Sequence, residues 1–359
     1  MGYAFPRNRQ WSRQTLFEGP KDISKIKWKV SFKDTLSISS PVIDECSNII
    51  FGTNKGELIS INKQGDVNWH HRIDTGVCSS PVICQDGFIY IGSSGDNMST
   101  LFKLDPEGKK LWSIPLKEGV SFEPVFDQSG DIFIATTDSI SKVNSLGQLI
   151  WSHPCGNVSS CPIVDTAGNV YISSRNESGI ISLSSDGEMR WKKELGKCYL
   201  ENEPIIDSSG NMYFLVSNNN EHSLYSIDSE GNTNWKFTPG NRGIISNLAL
   251  SRDNYLVMGT TYFKVIAINL SGELLWERDL GQITQFSPVL DSKNNIYLYT
   301  HFHKRKIYSN IWKLDCEGQI IWNHEIKDSV EWFHFNDNNE LIFLTIDPDT
   351  YLLSLITYT

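Results

Sequence analysis

Tryptophan recurs along this chain at a nearly fixed interval, and that interval restricts the fold more than any other feature. Eight of the eleven tryptophans stand at positions 28, 69, 112, 151, 191, 235, 276 and 322, separated by 39 to 46 residues. Their surroundings repeat with them. Glycine lies four residues ahead in seven of the eight: Gly65, Gly108, Gly147, Gly187, Gly231, Gly272 and Gly318. Roughly ten residues after most of these tryptophans comes a small-Pro-apolar step, as in Ser39-Ser40-Pro41-Val42 and Ser79-Ser80-Pro81-Val82. The step returns at Pro124, Pro162, Pro204 and Pro288. At ~150 residues per domain a chain of 359 residues would hold two or three domains. The repeat replaces that reckoning with a single array of units of about 42 residues.

Each unit reads as four short strands. The first holds the Pro-Val-Ile step and ends in an Asp-rich turn such as Asp165-Thr166-Ala167-Gly168-Asn169; the second alternates, as in Val170-Tyr171-Ile172-Ser173. The third is apolar-x-apolar, as in Tyr225-Ser226-Ile227, and closes with a turn such as Asp228-Ser229-Glu230-Gly231 before the strand that carries Trp. Apolar alternation between Asn, Asp and Gly turns suits antiparallel hairpins, because those residues tolerate positive φ. No segment has a helical period, so the expected fold class is all-β, and a four-stranded unit of this length fits a propeller blade. Seven whole units run from Trp28 to Trp322. The remainder contains three strands, among them Leu341-Ile342-Phe343-Leu344 and Tyr351-Leu352-Leu353-Ser354-Leu355. The segment Lys25 to Val30 looks like a fourth strand lacking its first three, with Ser24 where the other units have glycine. Joining the two pieces predicts an eight-bladed β-propeller of four-stranded antiparallel blades, the N-terminal strand completing the last blade and leaving no open edge. Residues 1–24 then form a lead-in, and residues 25–359 a single propeller.

The unit Ser-Ser-Pro-Val-Ile-Asp, an apolar strand ending Gly-Thr, Gly-x-Leu and Gly-x-x-x-Trp resembles the PQQ-like, quinoprotein-type β-propeller repeat. The first unit carries it almost whole in Ser39 to Asp44, Phe51-Gly52-Thr53, Gly56-Glu57-Leu58 and Gly65 to Trp69, and the resemblance extends from Lys25 to the end. It implies that each Trp wedges against the neighbouring blade and that the glycine permits the turn. Quinoprotein dehydrogenases of this kind carry a vicinal disulfide and a calcium site of Glu, Asn and Asp. This chain has no Cys-Cys pair, so no quinone or other cofactor is expected. A further relative is the lipoprotein propeller of the outer-membrane β-barrel assembly machinery.

Composition narrows the partners. With 32 basic and 42 acidic side chains the net charge is −10, and the longest basic run is Lys304-Arg305-Lys306. Such a chain is poorly suited to nucleic acid. No apolar stretch reaches the ~18 residues of a membrane span, and the first residues show no apolar signal region. The seven cysteines (46, 78, 84, 155, 161, 198 and 316) include no CxxC. They read as reduced thiols of a cytoplasmic protein, and a closed propeller needs no second copy to complete it.

In a propeller the loops leading into each first strand gather around a channel mouth, where ligands bind. Three units keep small residues there: Ser39-Ser40, Ser79-Ser80 and Ser160-Cys161. The others depart, with Phe122-Glu123, Glu201-Asn202-Glu203, Ser246-Asn247, Gln285-Phe286 and Glu331-Trp332. Phe122, Glu123, Glu201, Asn202, Glu203, Asn247, Gln285, Phe286, Glu331 and Trp332 are therefore the ligand-binding candidates. Acids and rings at one mouth suit a cationic ligand. The leading expectation is a non-enzymatic scaffold presenting this face to a protein or small ligand, with no catalytic residue assigned. The alternative is an enzyme using the four glutamates for acid–base chemistry, with a quinone-dependent oxidoreductase behind it.

Other motifs carry less. His301 and His303 share a face if Thr300 to Lys306, taken as the longest loop of that mouth, is extended, but a lone His-x-His pair does not make a metal centre. The Asp-rich turns recur in nearly every unit and lack the EF-hand's twelfth-position glutamate, so no metal site is expected. There is no Gly-x-Ser-x-Gly elbow or phosphate loop. Cys161 is the one thiol at a mouth position.

Overall fold

The computed structural model describes residues 13–15, 17–23, 25–33, 39–73, 76–77, 79–84, 86–94, 99–116, 119–120, 122–176, 179–196, 199–200, 204–218, 221–240, 243–244, 246–260, 263–282, 287–304 and 306–358. Among these there is no helix. Eight antiparallel sheets follow one another, making the chain an eight-bladed β-propeller as the repeat predicts. Blade 4 is representative: Ile163–Val164, Val170–Ser174, Gly179–Leu183 and Met189–Glu194 pair in sequence order. The last blade is composite. Ser329–Phe335, Leu341–Ile346 and Leu353–Tyr358 are completed by Ile26–Phe32, which pairs antiparallel with Leu353–Tyr358.

Among the described residues, blades 1 to 4 form one compact unit together with the turn Ser229–Gly231, and blades 5 to 8 with residues 13–33 form a second. Within each, the second and third strands are buried almost continuously, as in Val170–Ser174 and Gly179–Leu183. That follows from packing on both faces against neighbouring blades, so these strands lose the one-sided alternation of an exposed sheet. The core lies between blades. Val42, Ile50 and Leu58 of blade 1 meet Ile83, Ile89 and Phe102 of blade 2, with Trp69 against them. In the second unit Ala249, Val257 and Val265 of blade 6 meet Leu290, Leu298 and Trp312 of blade 7, with Trp276 alongside.

The fourth strands depart from simple alternation. In every blade the register slips one residue just before the Trp, so Leu149 faces Val143, Trp151 faces Lys142, and Ile150 is the extra residue of a bulge. The same slip precedes Trp69, Trp276 and Trp322. A bulge turns adjacent side chains the same way, and Leu149 with Ile150, Leu274 with Leu275 and Ile320 with Ile321 are indeed exposed pairs.

The Trp role implied by the resemblance is visible atom by atom. Trp69 Nε1 donates to the carbonyl of Pro106 in blade 2's turn at 3.1 Å, and a Cβ on Gly108 of that turn would lie 2.5 Å from the ring. Trp112 pairs likewise with Ser145 and Gly147, Trp151 with Ser185 and Gly187, Trp235 with Leu270 and Gly272, and Trp276 with Cys316 and Gly318. Gly108 has φ +80°, so it answers both the turn and the ring.

Candidate binding site

The positions just before each first strand are where the sequence places the channel mouth, and the structure assigns the serines there a definite task. Ser39 Oγ accepts the Gly52 amide at 2.8 Å, Ser79 Oγ that of Gly92 at 2.8 Å, Ser160 Oγ that of Ser173 at 3.1 Å, and Ser246 Oγ that of Gly259 at 2.6 Å. Each partner lies on the second strand of the same blade. The first strand is only two residues long in these blades, so the hydroxyl continues its ladder and satisfies an amide that would otherwise be buried without an acceptor. This function was hidden in the sequence, where a small residue before proline reads simply as a small residue.

The residue directly before the proline touches its counterpart in the next blade. The Ser40 amide donates to Ser80 Oγ at 3.0 Å. One step on, the Cys161 thiol lies 3.6 Å from the Glu123 carbonyl and 3.8 Å from its carboxylate Oε2. Two residues picked separately from the sequence are thus neighbours. Cys161 is buried, while Phe122 and Glu123 are half-buried. The thiol is therefore a weak donor to Glu123.

In the second unit, Asn247 is half-buried, its carbonyl accepting from Ser246 Oγ at 3.0 Å. Glu331 and Trp332 lie within the strand Ser329–Phe335 rather than in a loop before it, and Glu331 is the residue skipped in the register between Val330 and Trp332. Its carboxylate is exposed and accepts from Ser329 Oγ at 2.9 Å, while its carbonyl accepts from the buried Tyr299 hydroxyl at 2.9 Å. Burial drives the Tyr299 phenol well above its ordinary pKa, so it remains a donor. Trp332 is half-buried and tilted by 32° over His334, 5.9 Å between centroids. Glu201, Asn202, Glu203, Gln285 and Phe286 lie outside the described residues.

The segment from Thr300 to Lys306 is not a loop. Ile296–Lys304 and Lys306–Leu314 pair through Lys304 with Lys306, the longest hairpin among the described residues. The apolar run Ile296-Tyr297-Leu298-Tyr299 begins a strand that continues through Lys304, where the polar and basic residues disguise it. His301 is buried beside Ser309 Oγ, 3.2 Å from Nδ1, and edge-on to Tyr299. Ser309 Oγ in turn accepts the Val330 amide of blade 8 at 2.9 Å. Beside them, Asn310 Nδ2 donates to Gln282 Oε1 at 2.9 Å, and Trp312 Nε1 to Thr300 Oγ1 at 2.9 Å. Thr300 Oγ1 also bonds Gln282 Oε1. These polar groups tie the blades together, and sequence reading had singled out only His301 among them.

The Asp-rich turns have their oxygens occupied. Asp165 Oδ1 accepts the Ala167 and Asn169 amides at 2.9 and 2.8 Å, and Oδ2 accepts Asn169 Nδ2 and the Tyr171 hydroxyl, both at 2.8 Å. Asp207 repeats the pattern with Tyr213. This is turn chemistry rather than cation chemistry. Among the described residues no group of three His, Cys, Asp or Glu could hold a metal ion.

With these features placed, comparison with known proteins decides the family. The model described as "Outer membrane protein assembly factor BamB" matches residues 23–176 and 136–301. The chain belongs to this family. That agrees with the PQQ-like repeat read in Ser39 to Trp69. No curated protein matches the BamB-family chain in sequence. Among solved structures, BamB from Moraxella catarrhalis is 17% identical, covering 93% of this chain and 97% of that one at a TM-score of 0.68. The C-terminal WD40 domain of Sif2 is 13% identical, with coverages of 93% and 99% and a TM-score of 0.69. A catalytically inactive virginiamycin B lyase from Staphylococcus aureus, with quinupristin, is 12% identical, with coverages of 93% and 99% and a TM-score of 0.56. At such identities these likenesses establish the fold, which here hosts assembly factors and lyases alike.

Proposed function

We propose that this chain is a non-enzymatic scaffold that engages a protein partner through its channel-mouth face. The observation that carries the reading is the use already made, within each unit, of the described polar groups that precede the first strands. Ser39, Ser79, Ser160 and Ser246 close strand ladders, Glu123 sits against Cys161, and Glu331 stands exposed on a bulge. Acid–base catalysis needs a proton-transfer pair shielded from water, and a solvated glutamate held by a serine supplies none. Exposed Glu331 beside the half-buried ring of Trp332 instead suits recognition, since an aromatic anchor with a rim charge is a common feature of binding surfaces. The family's description as an assembly factor points the same way.

The partner we infer is a protein, or a ligand carrying a cation, and not a nucleic acid; no cofactor is assigned. Among the described residues no helix is long and apolar enough to cross a membrane. Cys46, Cys84, Cys155, Cys161 and Cys316 are free thiols, which favours the cytoplasm as the proposed compartment. The test is site-directed photo-crosslinking in the native host. A crosslinking residue at Glu331 is expected to trap a discrete protein, and one at the exposed Leu275 of an outer strand is not. Capture only from Leu275 would move the interface to the outer strands and overturn this reading. Turnover of a metabolite that Glu123→Gln abolishes would replace it with the enzyme.

A further inference from the structure

The lead-in has no repeat pattern and no predicted role, yet its residues 13–15 and 17–20 are bound to blades 6 and 7 like a ligand. The first strand of blade 7, Val289–Leu290, is the edge strand of its sheet. Gln14 bridges Leu290 in parallel. The Thr15 amide donates to the Leu290 carbonyl at 2.8 Å, the Leu290 amide to the Arg13 carbonyl at 3.0 Å, and the Ser292 amide to the Phe17 carbonyl at 2.9 Å. The edge strand of a four-stranded sheet thus gains a second, parallel neighbour by the main-chain pairing through which sheets take up extended peptides.

Side chains of blades 6 and 7 read the segment at defined points. Arg252 donates from Nη2 to the Thr15 carbonyl at 3.1 Å, from Nε to Gln14 Oε1 at 3.3 Å, and from Nη1 to the Ser292 carbonyl of blade 7 at 3.1 Å. The corresponding turn position in the other blades holds Glu45, Gln85, Gln128, Thr166, Ser208, Ser292 and Asp337, so the arginine is special to blade 6. The Gly19 amide donates to Asp291 Oδ2 at 3.2 Å, adding a ligand to a turn carboxylate that elsewhere serves only its own blade. A Cβ at Gly19 would fall 2.3 Å from the Tyr297 hydroxyl, so the cleft has room for glycine alone. The carbonyl of Pro20 accepts from buried Lys313 Nζ at 2.9 Å, and Glu18 pairs with Lys293 at 2.5 Å.

We propose that this cleft is a strand-addition site for extended peptides of the form acid-Gly-Pro, and that residues 13–15 and 17–20 are its resident ligand, held in cis and exchangeable in trans. The components that select such a peptide are separate: Leu290 takes the main chain, Arg252 the carbonyls, Lys293 the acid, Asp291 and Tyr297 the glycine, and Lys313 the proline carbonyl. Peptide exchange reads this site alone, so its failure is distinguishable from failure of the channel-mouth reading, which crosslinking tests.

The experiment uses the whole chain. A site-specific protease sequence replaces Ser24, and the folded protein is cut there, leaving the strand Ile26–Phe32 in place. A fluorescent peptide of residues 13–23 is then added and followed by anisotropy, with mass spectrometry of the excised fragment after gel filtration. The expected result is entry of the labelled peptide at one per chain into the cut protein, displacing the fragment, and no entry into the uncut protein. Arg252→Ala is expected to speed its release by about tenfold, the loss of a charge-assisted contact. A peptide carrying Gly19→Ala is expected not to enter, and because that change lies in the peptide, the folding of the protein does not confuse the outcome. No entry of the wild-type peptide, or equal entry of the Gly19→Ala peptide, overturns the proposal.

Discussion

His334 is buried in blade 8, its Nδ1 lying 2.7 Å from the Phe335 amide nitrogen and 2.9 Å from the Phe335 carbonyl oxygen. Burial brings its pKa down to about 4; the main-chain contact with Phe335 works against this, and the positive charge of Arg13 adds to it. The unfolded chain therefore binds this proton first, near the ordinary value of about 6.5. Stability is full above that pH and declines as pH falls toward about 4, by roughly 3 kcal/mol from this group alone. Replacing it, as in His334→Phe, removes the titration. Urea unfolding across this range is expected to show a shallower acid loss for the variant than for the parent. Parallel slopes would mean that the ring is solvated in the native state. The acids chosen from the sequence behave differently from one another at this scale. Glu123 contacts a buried thiol, whereas Glu331 faces solvent. Nothing in the letters distinguishes them, because exposure is set by the bulge under Glu331 and by the blade beside Glu123.

At the scale of the strand and turn, the Trp–Gly contact is the device that joins blade to blade, and two glycines separate its parts. Gly108 and Gly130 have similar φ values, +80° and +84°, so alanine strains the backbone equally at both. At Gly130 nothing lies within 4 Å of the added Cβ, whereas at Gly108 the Trp69 ring is 2.5 Å away. Gly130→Ala is expected to cost about 1 kcal/mol from the left-handed backbone alone. Gly108→Ala is expected to cost about 3 kcal/mol, because the ring must also move. Chemical denaturation of the two variants measures the difference, and equal losses would mean that the indole gives way freely. The repeat made the Trp and Gly positions legible, and the resemblance implied the wedge between blades, but which glycine meets which ring was not legible: Gly108 stands four residues before Trp112 and touches Trp69. The hydroxyl of Ser39 and its equivalents was not legible either, since its partner, the Gly52 amide, is thirteen residues away and any small residue would fit the pattern. The bulge at Ile150 was equally hidden, because one inserted residue breaks the alternation by which strands are recognised. The lead-in escaped for a third reason: its contacts are mostly main-chain, and Arg13 to Pro20 has no periodicity to announce a strand.

At the scale of the whole molecule, the last blade is where the two ends of the sequence meet, and it differs from the others for that reason. Six tryptophans donate to a carbonyl in the next blade's hairpin turn, from Trp69 with Pro106 to Trp276 with Cys316. Trp322 is the seventh, and its buried Nε1 finds no acceptor among the described residues. The strands at the equivalent place, Leu353–Tyr358 and Ile26–Phe32, are paired but not joined by a turn, so the carbonyl that a hairpin would present is not built there. An unpaired buried donor costs about 1 to 3 kcal/mol, which makes this blade the natural place for opening to begin. Main-chain pairing holds it, helped by Lys27 with Glu340 at 2.6 Å and Lys29 with Asp328 at 3.0 Å. Ser31 and Ser354 face each other in the register, their hydroxyl oxygens 2.9 Å apart. Paired Ser31→Cys and Ser354→Cys changes place two thiols across this closure, and their oxidation links residues far apart in sequence. Such a bond restricts the unfolded chain and is expected to add about 3 kcal/mol, raising Tm by roughly 5 °C until a reductant is added. The doubly substituted chain in its reduced form is the control, and non-reducing mass spectrometry identifies the bond against the five described native thiols. A formed bond with no change in Tm would show that unfolding starts elsewhere, with this pair of strands still together.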